Sequence, residues 1–158
     1  MKKQFLLLIT VAWISFSCQN NNYERMQVIF DDNWKFIRED IKEASDPAYN
    51  DNNWRTICLP HDWSVEDSVK ENNPSGAPHG YFTGEIGWYR KRFDVETHWK
   101  NKIIYLQFDG IYMNSDVYLN GEKITFQSYG YVPFYLDITS KLKKSGNILA
   151  IRVDNSKV

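Results

Sequence analysis

Cysteine is scarce in this 158-residue chain, with only Cys18 and Cys58, and a surplus of either charge is missing. Nineteen Lys and Arg face 20 Asp and Glu, a formal net charge of -1. A chain so balanced has no basic footprint for a polyphosphate backbone or an anionic membrane surface, which excludes nucleic acid as a partner. Helical periodicity is lacking too: from about Arg25 onward no stretch longer than about a dozen residues repeats with a helical period, which excludes a helical bundle. No internal repeat appears, no low-complexity tract beyond Asn20-Asn21-Asn22, and no interior linker. What remains is one domain with a short N-terminal appendage, large enough to bury roughly two thirds of its unfolded surface.

The appendage has its own grammar. Lys2 and Lys3 precede a nearly unbroken apolar run from Phe5 to Ile14, too short for the roughly 20 residues that span a bilayer. Residues 1–17 therefore read as a secretory signal, with Ser17-Cys18 as the point where a lipoprotein signal peptidase cuts before a cysteine. Cys18 is the expected lipid attachment site, and residues 18–24 the polar spacer behind it. On this reading the protein is exported to the periplasm or cell envelope and touches a membrane only through its anchor. Cys58 is then the sole remaining thiol, unable to form an intramolecular bridge. Its neighbours Ile57 and Leu59 are apolar, so a buried, inert thiol is expected.

What is present in quantity is short strands and turns, and 16% of the residues are aromatic. Candidate strands are 27–30, 34–38, 55–59, 87–95, 102–108, 115–120, 122–127, 133–136 and 148–154. Alternation places Ile104, Leu106 and Phe108 on one face, as it does Val117 with Leu119, and Leu149 with Ile151 and Val153. Asn120-Gly121 predicts a two-residue hairpin turn, since both central positions of a type I′ turn need positive φ. Residues 137–146 predict one helical turn between strands. Nine short strands with irregular connections make an all-β, two-sheet sandwich over residues 25–158.

Four blocks then occur in order: Asn33-Trp34-Lys35-Phe36; Trp54 with Leu59-Pro60-His61-Asp62-Trp63; Gly87-Trp88-Tyr89-Arg90-Lys91-Arg92-Phe93 with Phe108-Asp109-Gly110; and Val117-Tyr118-Leu119-Asn120-Gly121 through Phe134-Tyr135-Leu136-Asp137-Ile138-Thr139 to Asn147 and Asn155. Together they resemble the N-terminal sugar-binding domain of glycoside hydrolase family 2, most closely its β-galactosidase-like branch. The resemblance implies a jelly-roll, galactose-binding-domain-like topology. It also implies that the two catalytic glutamates, which family members carry in a barrel domain, lie outside this chain. The family's acid follows an asparagine, and this sequence has no Asn-Glu dipeptide. Glu66, Glu71, Glu85, Glu96 and Glu122 read as solvated acids in loops or turns. No catalytic residue is assigned, and no cofactor is implied.

In some family members a loop of this domain reaches the mouth of the barrel's active site. The corresponding stretch here is 61–86, rich in turn formers. His61, Asp62, Trp63, His79, Tyr81 and Thr83 offer flat apolar faces and fixed polar groups suited to a sugar, and form the candidate substrate-binding set. Each has a plainer role beside it. Asp62 suits a turn or cap, and Trp63 a packing anchor. Trp88 and Tyr89 alternate, so one meets the core and the other a barrel or solvent. Tyr129, Tyr131 and Phe134 read as an aromatic patch near Pro133 or as strand residues, and strand packing accounts for them. His61 and His79 lack a zinc-site framework, so no metal is expected.

Family members continue past the position of Asn155 into further strands, so the resemblance implies a sandwich missing its last strand and only marginally stable. Three readings follow. The chain is the N-terminal part of an exported glycosidase, with its barrel in cis or from a neighbouring gene product; or a stand-alone module binding a β-galactoside-like carbohydrate; or an inactive, truncated remnant.

Overall fold

The computed structural model describes residues 25–156 apart from 74, 75, 78 and 79. The signal segment 1–17, Cys18, its spacer 18–24 and His79 lie outside the described residues. The described residues form eight strands: β1 (Trp34–Ile37), β2 (Arg55–Ile57), β3 (Ile86–Phe93), β4 (Tyr105–Phe108), β5 (Ser115–Leu119), β6 (Glu122–Gln127), β7 (Phe134–Asp137) and β8 (Asn147–Asp154). The only helical elements among the described residues are short 3-10 turns, one of them Thr139–Lys141 inside the predicted helical turn. No helix there is long and apolar enough to cross a membrane.

Six strands form one antiparallel sheet in the order β2-β1-β3-β8-β5-β6, and β4 and β7 pair as a second, smaller one. The sandwich is thus lopsided. The long central pair β3 and β8 runs in register from Ile86 opposite Asp154 to Phe93 opposite Asn147. The β5–β6 hairpin turns at Asn120 and Gly121, both at positive φ (56° and 89°), as the Asn-Gly pair predicts. Asn120 also accepts from the Ile148 N–H and donates to the Lys141 carbonyl and to Asn147 Oδ1, so the turn side chain ties the hairpin to the start of β8.

Residues 27–30 form no strand: Val28 and Ile29 are exposed, and the segment meets the sheet mainly through Phe30, whose carbonyl accepts from Trp34 Nε1 at 2.8 Å. Glu122 opens β6 rather than lying in a loop. Cys58 is exposed, not buried. It follows the end of β2, where its S–H donates to Asp32 Oδ1 at 2.9 Å; that bond, then partial desolvation, pushes the thiol up.

The large sheet has two differently dressed faces. The inner one carries Trp34, Phe36, Tyr89, Val117, Leu149, Ile151 and Val153, with Leu106, Phe108 and Leu136 of the small sheet packed over them. The alternation read from β5 and β8 is therefore the inner-face pattern. The outer face carries Trp88 and Ala150, closed by Ala44 and Trp54 from the 38–54 connection. Trp88 thus meets neither solvent nor another domain. Arg90, 0% exposed, holds this cover down. It donates to Asp51 Oδ2 at 2.8 Å and to the carbonyls of Ala44, Asp46 and Tyr49, and stacks over the Tyr49 and Trp54 rings. A buried guanidinium is tolerated because its fork of donors is matched by acceptors.

Candidate functional site

Between the two sheets the inner face is only partly roofed, and a cleft of about 810 Å³ opens there. Its floor is the apolar inner face at Trp34, Tyr89, Ile151 and Val153. One wall is made by the two ends of the 61–86 connection, His61, Asp62, Trp63 and Ser64 from the first and Phe82 and Thr83 from the second; the other is the run 107–112, with Tyr131 behind it. Of the six residues proposed as a substrate-binding set, His61, Asp62, Trp63 and Thr83 are together on this wall. Tyr81 is not. It lies in a tight turn at φ 61°, where its N–H bonds the Gly76 carbonyl and its own carbonyl accepts from Asn73 Nδ2.

Each wall residue is held locally. Asp62 caps the 3-10 turn Trp63–Glu66, its Oδ1 accepting from the Ser64 N–H at 2.8 Å. Trp63 is 3% exposed and lies against Phe36, ring centroids 5.6 Å apart and nearly parallel. A side chain at Gly87 would meet Phe36 at 3.0 Å and Trp63 at 3.1 Å, so the absent side chain lets the indole lie on the sheet. Trp63 is a packing anchor and a cleft wall at once. Arg38 bonds both Asp67 and Glu85 at 2.7 Å, pinning the two ends of the loop to the end of β1.

His61 joins the floor to the rim. Its Nδ1 lies 2.8 Å from the Tyr89 hydroxyl, and its Nε2 lies 3.0 Å from Glu66 Oε1 and 2.8 Å from an Arg55 nitrogen. Glu66 only accepts and Arg55 only donates, so Nε2 is contested, and the Tyr89 hydroxyl supplies whichever role Nδ1 lacks. The Arg55 hydrogen bond holds the Glu66 carboxyl below its usual range. Burial, then the charges of Asp62 and Glu66, push the Tyr89 phenol up. The set is a connected scaffold. Among the described residues no group of three His, Cys, Asp or Glu is placed to hold a metal.

The opposite wall was missed from sequence. Gln107, Asp109, Tyr112 and Tyr131 line the cleft there, while Asn155, also unassigned from sequence, lines it from the His61 side, bonded to the Glu85 N–H and Ser64 Oγ. Asp109-Gly110 stood out as a motif without a position to give it a role. Phe134 does pack, stacked on Phe108 at 4.7 Å. Strand packing does not account for Tyr131, 73% exposed, or for Tyr129. Tyr131 touches both Tyr112 and Tyr129, at centroid distances of 5.3 and 5.7 Å, forming an aromatic rim. A recess with flat rings at its edge and hydrogen-bonding carboxylates and amides beside them is the kind of surface that sugar rings meet.

Residues 82–157, which include this far wall, match the family described as glycosyl hydrolase 2 galactose-binding domain-like. That stretch belongs to the family. The chain is 44% identical over 128 residues to a beta-galactosidase of Bacteroides ovatus, covering 80% of this chain and 15% of that protein. It is 41% identical over 132 residues to a putative beta-glucuronidase of Formosa agariphila, covering 84% of this chain and 13% of the relative. Among solved structures, a beta-glycosidase from Bacteroides vulgatus superposes with a TM-score of 0.76 at 39% identity, over 80% of this chain and 17% of that one. The sandwich architecture expected from the sequence is thus shared with family 2 members. The chain spans less than a fifth of the length of each of these relatives.

Proposed function

We propose that this chain is the N-terminal sugar-binding domain of an exported, β-galactosidase-like glycosidase, supplying scaffold and the rim of a substrate pocket while a barrel in cis, or from a neighbouring gene product, supplies the reacting carboxylates. The observation that carries this reading is the 44% identity to a beta-galactosidase across 80% of the chain. The local chemistry agrees with a non-catalytic part. A glycosidase acid must hold its proton near neutral pH, and so needs a raised carboxyl pKa. Glu66, bonded to His61 of the cleft, is instead bound to Arg55 at 2.7 Å and held low. The Lys2-Lys3 start, the apolar run behind it and Cys18 support export and lipid anchoring.

Three measurements test the proposal. The reading frame beyond codon 158 is expected to encode a barrel, and the chain by itself is expected to leave nitrophenyl β-galactoside unhydrolysed. Turnover by the chain alone that is lost on Glu66→Gln would overturn the non-catalytic assignment. Metabolic labelling with a fatty-acid analogue should mark the wild type and not Cys18→Ala; equal labelling would remove the anchor from the account.

A further inference from the structure

We propose that Asn120-Gly121 is a latent deamidation site which the folded domain holds shut, so that only a chain that has unfolded is modified there. It is the one Asn-Gly pair of the sequence. Glycine matters to this chemistry as well as to the turn, because without a side chain its peptide nitrogen is unshielded. In the reaction that nitrogen gives up its proton and attacks Asn120 Cγ. A C–N bond forms to close a succinimide ring, the Cγ–Nδ2 bond breaks, and Nδ2 takes up a proton and leaves as ammonia. Water then opens the ring at either carbonyl, giving aspartate or isoaspartate. Water is the only co-reactant, and nothing is oxidised or reduced.

For the ring to close, the Asn120 amide must swing onto the nitrogen of its own next residue. Its hydrogen bonds oppose that swing at both ends of the amide. Nδ2 donates to the Lys141 carbonyl at 3.0 Å and to Asn147 Oδ1 at 3.1 Å, and Oδ1 accepts from the Ile148 N–H at 3.1 Å. The backbone is tied as well, the Asn120 N–H donating to the Ile148 carbonyl at 2.8 Å. Asn147 is buried and itself held: its Oδ1 accepts from the Lys143 N–H at 2.8 Å, and its Nδ2 donates to the Lys143 carbonyl at 2.7 Å. Freeing the amide therefore requires the hairpin tip to part from the start of β8, and the rate follows the opening of that region. The reaction then removes what held it back. An aspartate at this position has no N–H for the Lys141 carbonyl or for Asn147 Oδ1, and it turns a negative charge toward both acceptors. Isoaspartate also lengthens the main chain by a methylene. The turn has little room for that, since a Cβ on Gly121 would already meet Pro47 at 3.0 Å. Unfolding thus becomes a one-way step, because the modified chain cannot rebuild the tie between the hairpin and β8.

The experiment incubates the full chain at mildly alkaline pH, once in buffer and once in guanidinium chloride, and follows the peptide that carries residue 120 by mass spectrometry. Deamidation is expected to be about tenfold slower in buffer or slower still, tenfold being the factor that an opening cost of about 1.4 kcal/mol gives. Asn147→Ala, which removes one acceptor, should raise the rate in buffer about threefold and leave the rate in denaturant unchanged. Equal rates for the wild type in the two solvents overturn the lock, and an unchanged rate for Asn147→Ala in buffer overturns the contacts assigned to it. On dilution from denaturant, unmodified chains should regain their native tryptophan fluorescence and deamidated chains should not; equal recovery overturns the one-way step. Should unmodified chains fail to refold, Asn120→Asp made directly takes the place of that comparison. It is expected to unfold at lower denaturant than the wild type, and a midpoint no lower overturns the step in the same way.

Discussion

The two faces of the large sheet are built from the same strands and end up opposite in character. On the outer face Trp88 and Ala150 are sealed beneath the 38–54 connection, and the buried guanidinium of Arg90 there has its donors matched by Asp51 and three carbonyls. On the inner face Ile151 and Val153, the next residues along β8, sit at the floor of a cleft that two short strands only partly cover. One face is closed by a loop and fixed by a buried cation. The other is left concave, aromatic at its rim and acidic on its walls. The contrast separates stability from recognition within a single sheet, and it can be broken in graded steps.

Arg90→Met is the strongest perturbation, because it leaves Asp51 and the Ala44, Asp46 and Tyr49 carbonyls without their donor; a loss of about 3–5 kcal/mol is expected in chemical denaturation. A near-neutral effect would show that the outer cover is held by apolar packing alone. Next come two truncations on opposite faces. Trp88→Ala should cost about 3–5 kcal/mol, and Ile151→Ala about 2, since the second enlarges space already open while the first creates a closed cavity. Equal losses would remove the distinction between the faces.

Acid provides a smaller lever. Hydrogen bonds from Arg152 and Arg55 hold the carboxyls of Asp40 and Glu66 below their ordinary range. A group depressed in the folded state contributes stability above its unfolded value, and loses that contribution as pH falls through its folded value. Stability should therefore drop as pH falls below about 4, and less steeply in Arg152→Met, whose bidentate bond to Asp40 at 2.8 and 3.0 Å fastens residue 40 to the outer face. The pair is partly exposed, so the two pH profiles should differ by less than about 1 kcal/mol. Smallest for stability is Tyr131→Ala, expected within about 0.5 kcal/mol because the ring is exposed, yet expected to weaken sugar binding. Unchanged affinity in that variant would take the aromatic rim out of the recognition surface.

The strands were legible because period-2 alternation is imposed by the pleat itself: Val117 with Leu119, and Leu149 with Ile151 and Val153, face inward as their spacing demands. The Asn120-Gly121 turn was legible because its backbone angles restrict which residues fit. Segment 27–30 was misread because its apolar residues carry strand propensity without pairing, and propensity yields to tertiary context. Cys58 was misread for a related reason, since apolar neighbours do not bury a residue just past the end of an edge strand. Half of the candidate site was visible in the loop around His61. The other half, Gln107 to Tyr112 with Tyr131 and Asn155, comes from segments far apart in sequence that only the sandwich brings together. Nor does any local pattern mark Arg90 as buried: alternation assigns it a face but not what covers that face.

The pairing of β3 with β8 also governs how the chain reaches this structure. It joins residues 86–93 to residues 147–154, and β5 docks on the same strand β8. The middle of the large sheet therefore cannot assemble until residues 147–154 have been synthesised. Such non-local pairing makes for slow folding and leaves the nascent chain extended while it waits. Until residues 147–154 emerge, the apolar faces of β3 and β5 have no partner strand between them and are exposed to other chains.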